Sequence, residues 1–504
     1  MKNYLKKDDN KVLRERKLIS KLASLMSYPS IGKIAIKYMK RNGLKFLQVP
    51  YEKATVKQEA MLETKLSKMN DTLIGKKLKL QKSHRLAELP LTRYQFYEPF
   101  FNAPSEDAFM YPLREYVKTR TSGSSSKEKW FLHPRIAFTN AYMKTGMSLL
   151  VILFHNGEEC TLEYGDTIYV NVAPPPFPAG FILPEVGDIG IVKIVPNINL
   201  HYRDKIQFFT FNYEKINAAV LLTSALLTQV APRIGKPIEL KGLLALDSVI
   251  ADANIDEIQR LVGVAPKTVY ASTEMLCSNV PSIEYPLGFI FDWRRSIIEL
   301  HPVAKGEISS DTLIDLNEVK VGEVYQPVYT SLEGELTRYV LEDSIKCIAK
   351  GDDVIGTDYP VFKFQTRIGG EIALQNFTRI TEDELIAALR NGRISFIDFT
   401  ARAETEGCRE HLVIYLEHSS KMLSKDIAKS VHTYLYENDK DYRNLVDFFE
   451  YFPVKIRVVP RGVFASFLED IQAGSIPKVH RVGMKEENFK RLLNIIEKYG
   501  GFTC

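Results

Sequence analysis

From Ser148 onward the chain alternates short apolar, β-branched runs with longer amphipathic stretches, and this alternation constrains the fold more than any other feature. Ser148 to Phe154 is an apolar run of strand length, Thr167 to Val172 alternates with period two, and Asp188 to Val195 is rich in Ile and Val. Runs of that length and composition read as strands. Helical stretches over 213–232 and 255–262 separate them, and strands interleaved with helices predict an α/β body with at least partly parallel sheets. The longest apolar run, Ile216 to Ala231, is interrupted by Asn217, Thr223, Ser224, Thr228 and Gln229. It is too short to cross a bilayer comfortably, so it reads as a buried helix and no membrane span is expected. At 504 residues, 45% of them apolar, the chain has material for at least two domains.

Both ends have their own texture. The first 50 residues are basic (Lys2, Lys6, Lys7, Lys11, Arg14, Arg16, Lys17, Lys21), with Leu13, Leu18, Ile19 and Leu22 at roughly helical spacing. A basic amphipathic helix can lie on nucleic acid or a membrane surface; a solvated face packed on the body is the expectation here. The net charge of only +5, from 67 basic and 62 acidic groups, implies neither partner for the chain as a whole. Residues 55–85 also read as helix. From about Gly370 a compact α+β unit follows: Ile380 to Leu389 helical, Ile394 to Ala403 paired with His411 to Leu416, helices over Lys421 to Glu437 and 441–450, then the strand Val454 to Val459. The division expected is a large domain over 1–369 and a small one over 370–504. Five cysteines without C-x-x-C spacing, and an opening segment lacking an apolar core, fit a reducing cytosol.

Four stretches carry chemistry. Thr121-Ser122-Gly123-Ser124-Ser125-Ser126 offers five hydroxyls around a glycine, with Lys127 and Lys129 close behind. Small hydroxyl residues let N–H and O–H groups converge on an anion, and the glycine permits the tight turn that aims them. The G-x-x-x-x-G-K-[ST] nucleotide loop is absent, and a flexible Ser-rich turn is the alternative. Tyr270-Ala271-Ser272-Thr273-Glu274 ends an apolar strand with hydroxyls and a carboxylate able to contact phosphate and carry Mg²⁺. Glu342-Asp343 could accept from a ribose diol. Phe362 to Arg367 is a strand running into Gly369-Gly370, a natural hinge.

In this order the stretches resemble the signatures of the adenylate-forming superfamily of acyl- and aryl-CoA ligases, luciferases and peptide-synthetase adenylation domains. Thr121 to Lys129 is similar to [ST]-S-G-[ST]-[ST]-G-x-P-K, with Ser126 for Gly and Glu128 for Pro. Tyr270 to Glu274 resembles Y-G-x-T-E, with Ala271 for Gly; Arg338-Tyr339 with Asp343 loosely resembles Y-R-x-G-D, with Glu342 for Gly. The C-terminal part is most similar to the auxin-responsive promoter family of acyl-acid amido synthetases. Phe364-Gln365-Thr366-Arg367-Ile368-Gly369-Gly370-Glu371, Ile397 to Thr400 with His411 to Glu417, and Val458 to Phe464 leading to Lys478-Val479-His480-Arg481 carry that likeness. The Glu342-Asp343 pair is similar to phenylacetate-CoA ligases instead.

The resemblance implies an ATP-dependent ligase that activates a small carboxylic acid to acyl-AMP, releases pyrophosphate, and passes the acyl group to an amine or to CoA. It implies that Thr121, Ser122, Gly123, Ser124, Ser125, Ser126 and Lys129 hold the β- and γ-phosphates. Tyr270 and Ser272 would belong to the second signature's binding loop. Thr273 would contact the α-phosphate, Glu274 carry Mg²⁺, and Asp343 bind the ribose hydroxyls with Arg367 assisting. Lys478 is the candidate for a lysine delivered to the reacting carboxylate, on a small domain that turns about Gly369-Gly370 between the half-reactions. A nucleotide-binding relative without turnover, serving as a scaffold, is the alternative of another class.

Overall fold

The computed structural model describes residues 25–121, 129–367, 371–374, 378–406, 409–420, 422–470 and 479–503. Its N-terminal part opens with helices α1 (Pro29–Asn42), α2 (Tyr51–Met69) and α3 (Tyr94–Asn102), followed by a hairpin of β1 (Tyr116–Arg120) and β2 (Trp130–Pro134). A five-stranded parallel sheet then forms from β3 (Thr167–Val170), β4 (Lys193–Val195), β5 (Ala218–Leu221), β6 (Gly242–Ala245) and β7 (Lys267–Thr268), in the order β4-β3-β5-β6-β7. Strands β5 and β6 are apolar at every position because both faces are covered, the usual reading of a parallel sheet wrapped by crossover helices. Tyr169, Leu221 and Leu243 pack on one face with Phe209, Leu226 and Ile258. Ile168, Val170, Val220 and Leu244 pack on the other with Val151, Phe154 and Ile189.

A second, seven-stranded sheet follows: β8 (Asn279–Pro281), β9 (Phe289–Phe291), β10 (Ser296–Pro302), β11 (Val324–Ser331), β12 (Tyr339–Val340), β13 (Asp343–Ala349) and β14 (Val361–Arg367). It is antiparallel throughout, in the order β10-β11-β13-β14-β9-β8 with β12 on β11. The C-terminal part holds the pair β15 (Glu371–Leu374) and β16 (Thr378–Thr381), and a three-stranded sheet of β17 (Phe396–Glu406), β18 (Arg409–His418) and β19 (Val454–Val458). Helices α4 (Ser248–Ala253) and α5 (Ile255–Val262) lie in the N-terminal part; α6 (Glu382–Asn391), α7 (Ser424–Asn438), α8 (Lys440–Phe449), α9 (Val463–Asp470) and α10 (Glu486–Lys498) lie in the C-terminal part. The expected α/β class, with a large N-terminal part and a smaller C-terminal one, is the architecture seen.

Local expectations fare unevenly. The pairing of 394–403 with 411–416 is present and longer, from Phe396↔His418 to Glu406↔Arg409. The helix expected over Ile380 to Leu389 starts later, at Glu382, because Thr381 caps it and Glu384 reaches back to the Thr381 N–H at 2.8 Å. Ser148 to Phe154 is helical rather than a strand: Met147–Leu153 continues the helix begun at Arg135, and a short run apolar on all sides carries no period to separate the two states. The stretch Arg135–Leu153 has the length and apolarity of a membrane span, yet 61% of it is buried inside the fold, where it serves as a core helix. Asp188 to Val195 is mostly helix end and turn, leaving only Lys193–Val195 as strand. Ile216 to Ala231 is not one helix but strand β5 followed by a helical stretch from Thr223. Asp247 ends the strand there by accepting from the Thr223 and Ser224 N–H groups at 2.6 and 2.9 Å.

Candidate active site

The carboxyl end of a parallel sheet gathers loops from several strands, which makes it a natural place for a ligand. Here β7 ends at Thr268 and runs directly into Tyr270 to Glu274. Tyr270 is seated by reciprocal hydrogen bonds: its N–H donates to Asn279 Oδ1 at 2.9 Å, and Asn279 Nδ2 donates to its carbonyl at 2.6 Å. Its ring stacks on Phe289 and Phe364 at 5.5 and 6.3 Å between centroids. That orientation carries the phenol to the first residue of β13, where it donates to Asp343 Oδ2 at 2.6 Å. Arg367, the last residue of β14, faces Asp343 across the ladder. Second signature, third signature and hinge strand therefore meet at one point.

The first signature arrives from the β1–β2 hairpin. The Thr121 N–H donates to the Lys129 carbonyl at 3.0 Å, and the Lys129 N–H donates to Thr121 Oγ1 at 3.3 Å, so the two ends of the Ser-rich loop are clasped. Ser122, Gly123, Ser124, Ser125 and Ser126 lie outside the described residues, as do Gly369, Gly370 and Lys478. The Lys129 ammonium is mostly buried and donates to both oxygens of Glu342 at 3.1 and 3.0 Å, and it sits 5.5 Å from the centre of the Tyr94 ring. Tyr94 is held in turn by the Trp130 N–H, which donates to its phenol oxygen at 3.0 Å. Burial pushes the Tyr339 phenol well above its usual range, helped by the charges of Glu274 and then Glu342, and burial with Glu98 and Glu274 does the same for Tyr94. Both phenols thus stay protonated, with the Glu274 charge adding to the shift of each.

Two buried groups hold this arrangement in place. Ser272 accepts the Met275 N–H at 3.3 Å, and the chain then turns through Leu276 and Cys277 with φ of 46° and 55°, a region that costs a residue with a side chain. Arg295, fully buried, donates to the Leu276 carbonyl at 2.9 Å and the Ala137 carbonyl at 3.1 Å while pairing with Glu333 at 3.1 Å. Its guanidinium fastens the turn after Glu274 to the core helix. On the other side His133 hydrogen-bonds the backbone of Thr273, and burial lowers its pKa to about 3, so the ring is neutral. Among the described residues its Nε2 has no hydrogen-bond partner. Sequence reasoning missed both; only the placement of a polar residue inside apolar runs hinted at them. Arg338, part of the loosely matched third signature, points away from this site: it is buried, bidentate to Glu299 at 2.8 Å for both bonds, and donates to the Leu89 carbonyl at 2.6 Å.

Among the described residues no group of three or more His, Cys, Asp or Glu could hold a metal. Glu274 offers one carboxylate, which is the donor set Mg²⁺ takes when substrate phosphates supply the remaining oxygens.

Residues 290–367 match the GH3 family central domain and residues 379–482 the GH3 family C-terminal domain. A 4-substituted benzoates-glutamate ligase, GH3.12 of Arabidopsis thaliana, is 27% identical over 168 residues, covering 31% of this chain and 27% of its own. An indole-3-acetic acid-amido synthetase of the same plant, GH3.15, is 27% identical over 213 residues, covering 37% and 34%. The match thus spans about a third or less of the length of these curated relatives. In structure the chain is similar to the AtGH3.15 acyl acid amido synthetase in complex with 2,4-DB, with a TM-score of 0.70 at 16% identity over 92% of this chain and 95% of that one. It is also similar to a 2-hydroxyisobutyryl-CoA ligase in complex with 2-HIB-AMP, with a TM-score of 0.60 at 16% identity over 89% and 93%. These likenesses establish the fold.

Proposed function

We propose that this chain, with its GH3-family central and C-terminal domains, is an ATP-dependent ligase that activates a carboxylic acid as its acyl-adenylate and passes the acyl group to an acceptor. The observation that carries the reading is that the Tyr270 phenol donates to Asp343 while Lys129, at the end of the Ser-rich loop, pairs with the adjacent Glu342, so the three signature stretches come together. In the first half-reaction an oxygen of the substrate carboxylate attacks the α-phosphorus, and the bond to the bridging oxygen of pyrophosphate breaks. Charge gathers on the phosphoryl oxygens and the departing pyrophosphate, so fixed donors and cations supply the catalysis. The loop from Thr121 to Ser126 and Lys129 receive the β- and γ-phosphates, and Thr273 the α-phosphate. Asp343, oriented by the Tyr270 phenol, accepts from the ribose diol, with Arg367 beside it. Mg²⁺ on Glu274 would supply positive charge to the phosphates. Lys478, on a small domain beginning at about 370, is delivered to the reacting carboxylate.

In the second half-reaction a nucleophile attacks the acyl carbon and AMP leaves. The match of residues 379–482 to a C-terminal domain known from amido synthetases favours an amine, and an amide product; a CoA thiol is the alternative. Pyrophosphate release from ATP and Mg²⁺, measured over a panel of aryl, indole and aliphatic acids with an amino-acid mixture or CoA as acceptor, tests this. Acid-dependent release is expected, with the true acceptor converting a burst into turnover. Glu274→Gln removes one charge at constant size, and it should abolish release while circular dichroism is unchanged. Normal release from that variant would overturn the site, and silence across the panel with ATP still bound would favour a scaffold.

A further inference from the structure

The charge of this molecule is polarised along the chain. Residues 1–51 hold thirteen Lys and Arg against three Asp and Glu, whereas the whole chain holds 67 against 62, so everything after residue 51 is net negative. Within 25–51 there is no carboxylate, and Lys33, Lys37, Lys40, Arg41 and Lys45 make no ion pair among the described residues. Helix α1 presents the first four of these cations, with Lys45 just past its end, beside an apolar strip that is exposed among the described residues. Ile36 and Met39 point into the core with Tyr142 and Leu150, and Gly32 lies so close to the Tyr164 ring that a Cβ would overlap it. The helix is therefore seated on the body by one face. On its outward side Tyr28, Ile31, Ile34 and Tyr38 recur at helical spacing, and Ile34 and Tyr38 are each 69% exposed. At the C-terminal end of the same helix a cavity of 390 Å³ opens, lined by Lys40, Arg41, Lys45, His155 and Cys160 and by one carboxylate, Glu159.

We propose that α1 and the basic cavity at its end form a docking surface for an anionic lipid bilayer. The helix lies in the headgroup plane with Ile31, Ile34, Tyr28 and Tyr38 dipping into the acyl boundary. Lys33 and Lys37 flank that strip at headgroup level, and a lipid phosphate enters between Lys40, Arg41 and Lys45. Charge complementarity selects this occupant. A cationic face with large aliphatic and aromatic side chains matches a surface that is negative outside and apolar a few ångströms below. Nucleic acid would use the lysines and leave Ile34 and Tyr38 in water. The seating of α1 is independent of the adenylation reading.

Flotation of the full chain with vesicles tests the surface. The chain should float with phosphatidylcholine vesicles containing phosphatidylserine, not with phosphatidylcholine alone, and added salt should release it. Ile34→Ser with Tyr38→Ser, and separately Lys40→Glu with Lys45→Glu, should each weaken binding by about tenfold or more. These side chains are exposed and none belongs to the proposed nucleotide site, so pyrophosphate release without vesicles should be unchanged in both variants. The proposal fails if the chain floats with neither vesicle, or if I34S/Y38S binds as tightly as the parent. It also fails if lipid-free chain is a dimer that I34S/Y38S makes monomeric, or if duplex DNA displaces the vesicles, since the face would then belong to a second copy or to nucleic acid.

Discussion

Lys129 is the residue on which chemistry and structure pull hardest against each other. As a phosphate ligand it must be free to turn toward ATP, yet both oxygens of Glu342 hold it at 3.0 to 3.1 Å. A charge-assisted pair with a mostly buried ammonium is stronger than a surface bridge, and in the proposed role of Lys129 a binding nucleotide would have to exchange it for phosphate. Glu342→Gln keeps the shape and removes the competing charge, so the KM for ATP should fall several-fold while circular dichroism stays unchanged; a raised KM would mean that Glu342 assists binding instead. Nothing in the sequence announces this pair, because its partners are 213 positions apart. The same is true of Arg295. Arg295→Met would leave Glu333 buried without its cation, and removing one partner of a buried pair costs about 3–5 kcal/mol. Urea unfolding should show a loss of that size, whereas Arg294, which faces Asp292 from a partly exposed position, should cost less when replaced.

At the scale of elements, the turn after β7 is braced by His133 from β2, and this makes the site sensitive to acid. The buried ring is neutral in the folded chain with a pKa lowered to about 3, and in the unfolded chain it takes a proton near its ordinary value. A depressed folded pKa contributes stability that is complete above the unfolded value and is lost as pH falls toward the folded one. Stability should therefore fall between about pH 6.5 and 3, with a contribution from this residue of about 1.4 kcal/mol per pH unit. His133→Gln should flatten that slope in urea titrations at pH 4 to 7; an unchanged slope would show that other groups set it. How far elements could be read from sequence follows the strength of their period. Strand β17 alternates from Ile397 to Glu404, and its pairing with the continuously apolar β18 is legible to within a few residues. Strands β5 and β6, four residues each and buried at every position, carry no alternation, and the first was absorbed into a helix. The start of the helical stretch at Thr223 depends on Asp247, a cap that comes from the end of a neighbouring strand and cannot be seen along the chain.

For the molecule as a whole, composition suggests at least two domains and the motifs suggest their order, but neither says how the parts share a core. The division at about 370 suggests separate units, while the packing crosses it twice. Val249 and Ile250 of α4 sit in a cluster otherwise built from C-terminal residues such as Leu385, Phe396, Phe399 and Leu412. On the outer face of the parallel sheet, Phe464 and Leu468 of α9 and Leu492 of α10 join Leu226, Ala251 and Ile258. Asp252 adds an ion pair across the division to Arg390 at 2.6 Å, while its pair to Lys363 at 3.0 Å stays within the N-terminal part. A unit free to turn between two half-reactions must break these contacts each time, so they set the cost of leaving this arrangement. Ile250→Ala removes a fully buried side chain from the shared cluster, a change that costs about 2–5 kcal/mol where the neighbours cannot collapse. Because the cavity lies between the two parts, hydrogen exchange should rise together in α4 and in α6 and β17, and calorimetry should show a broader or more divided transition than the parent's. Protection lost in α4 alone, with the C-terminal part unaffected, would mean that the two cores are merely adjacent and that the contact does not restrain the turning unit.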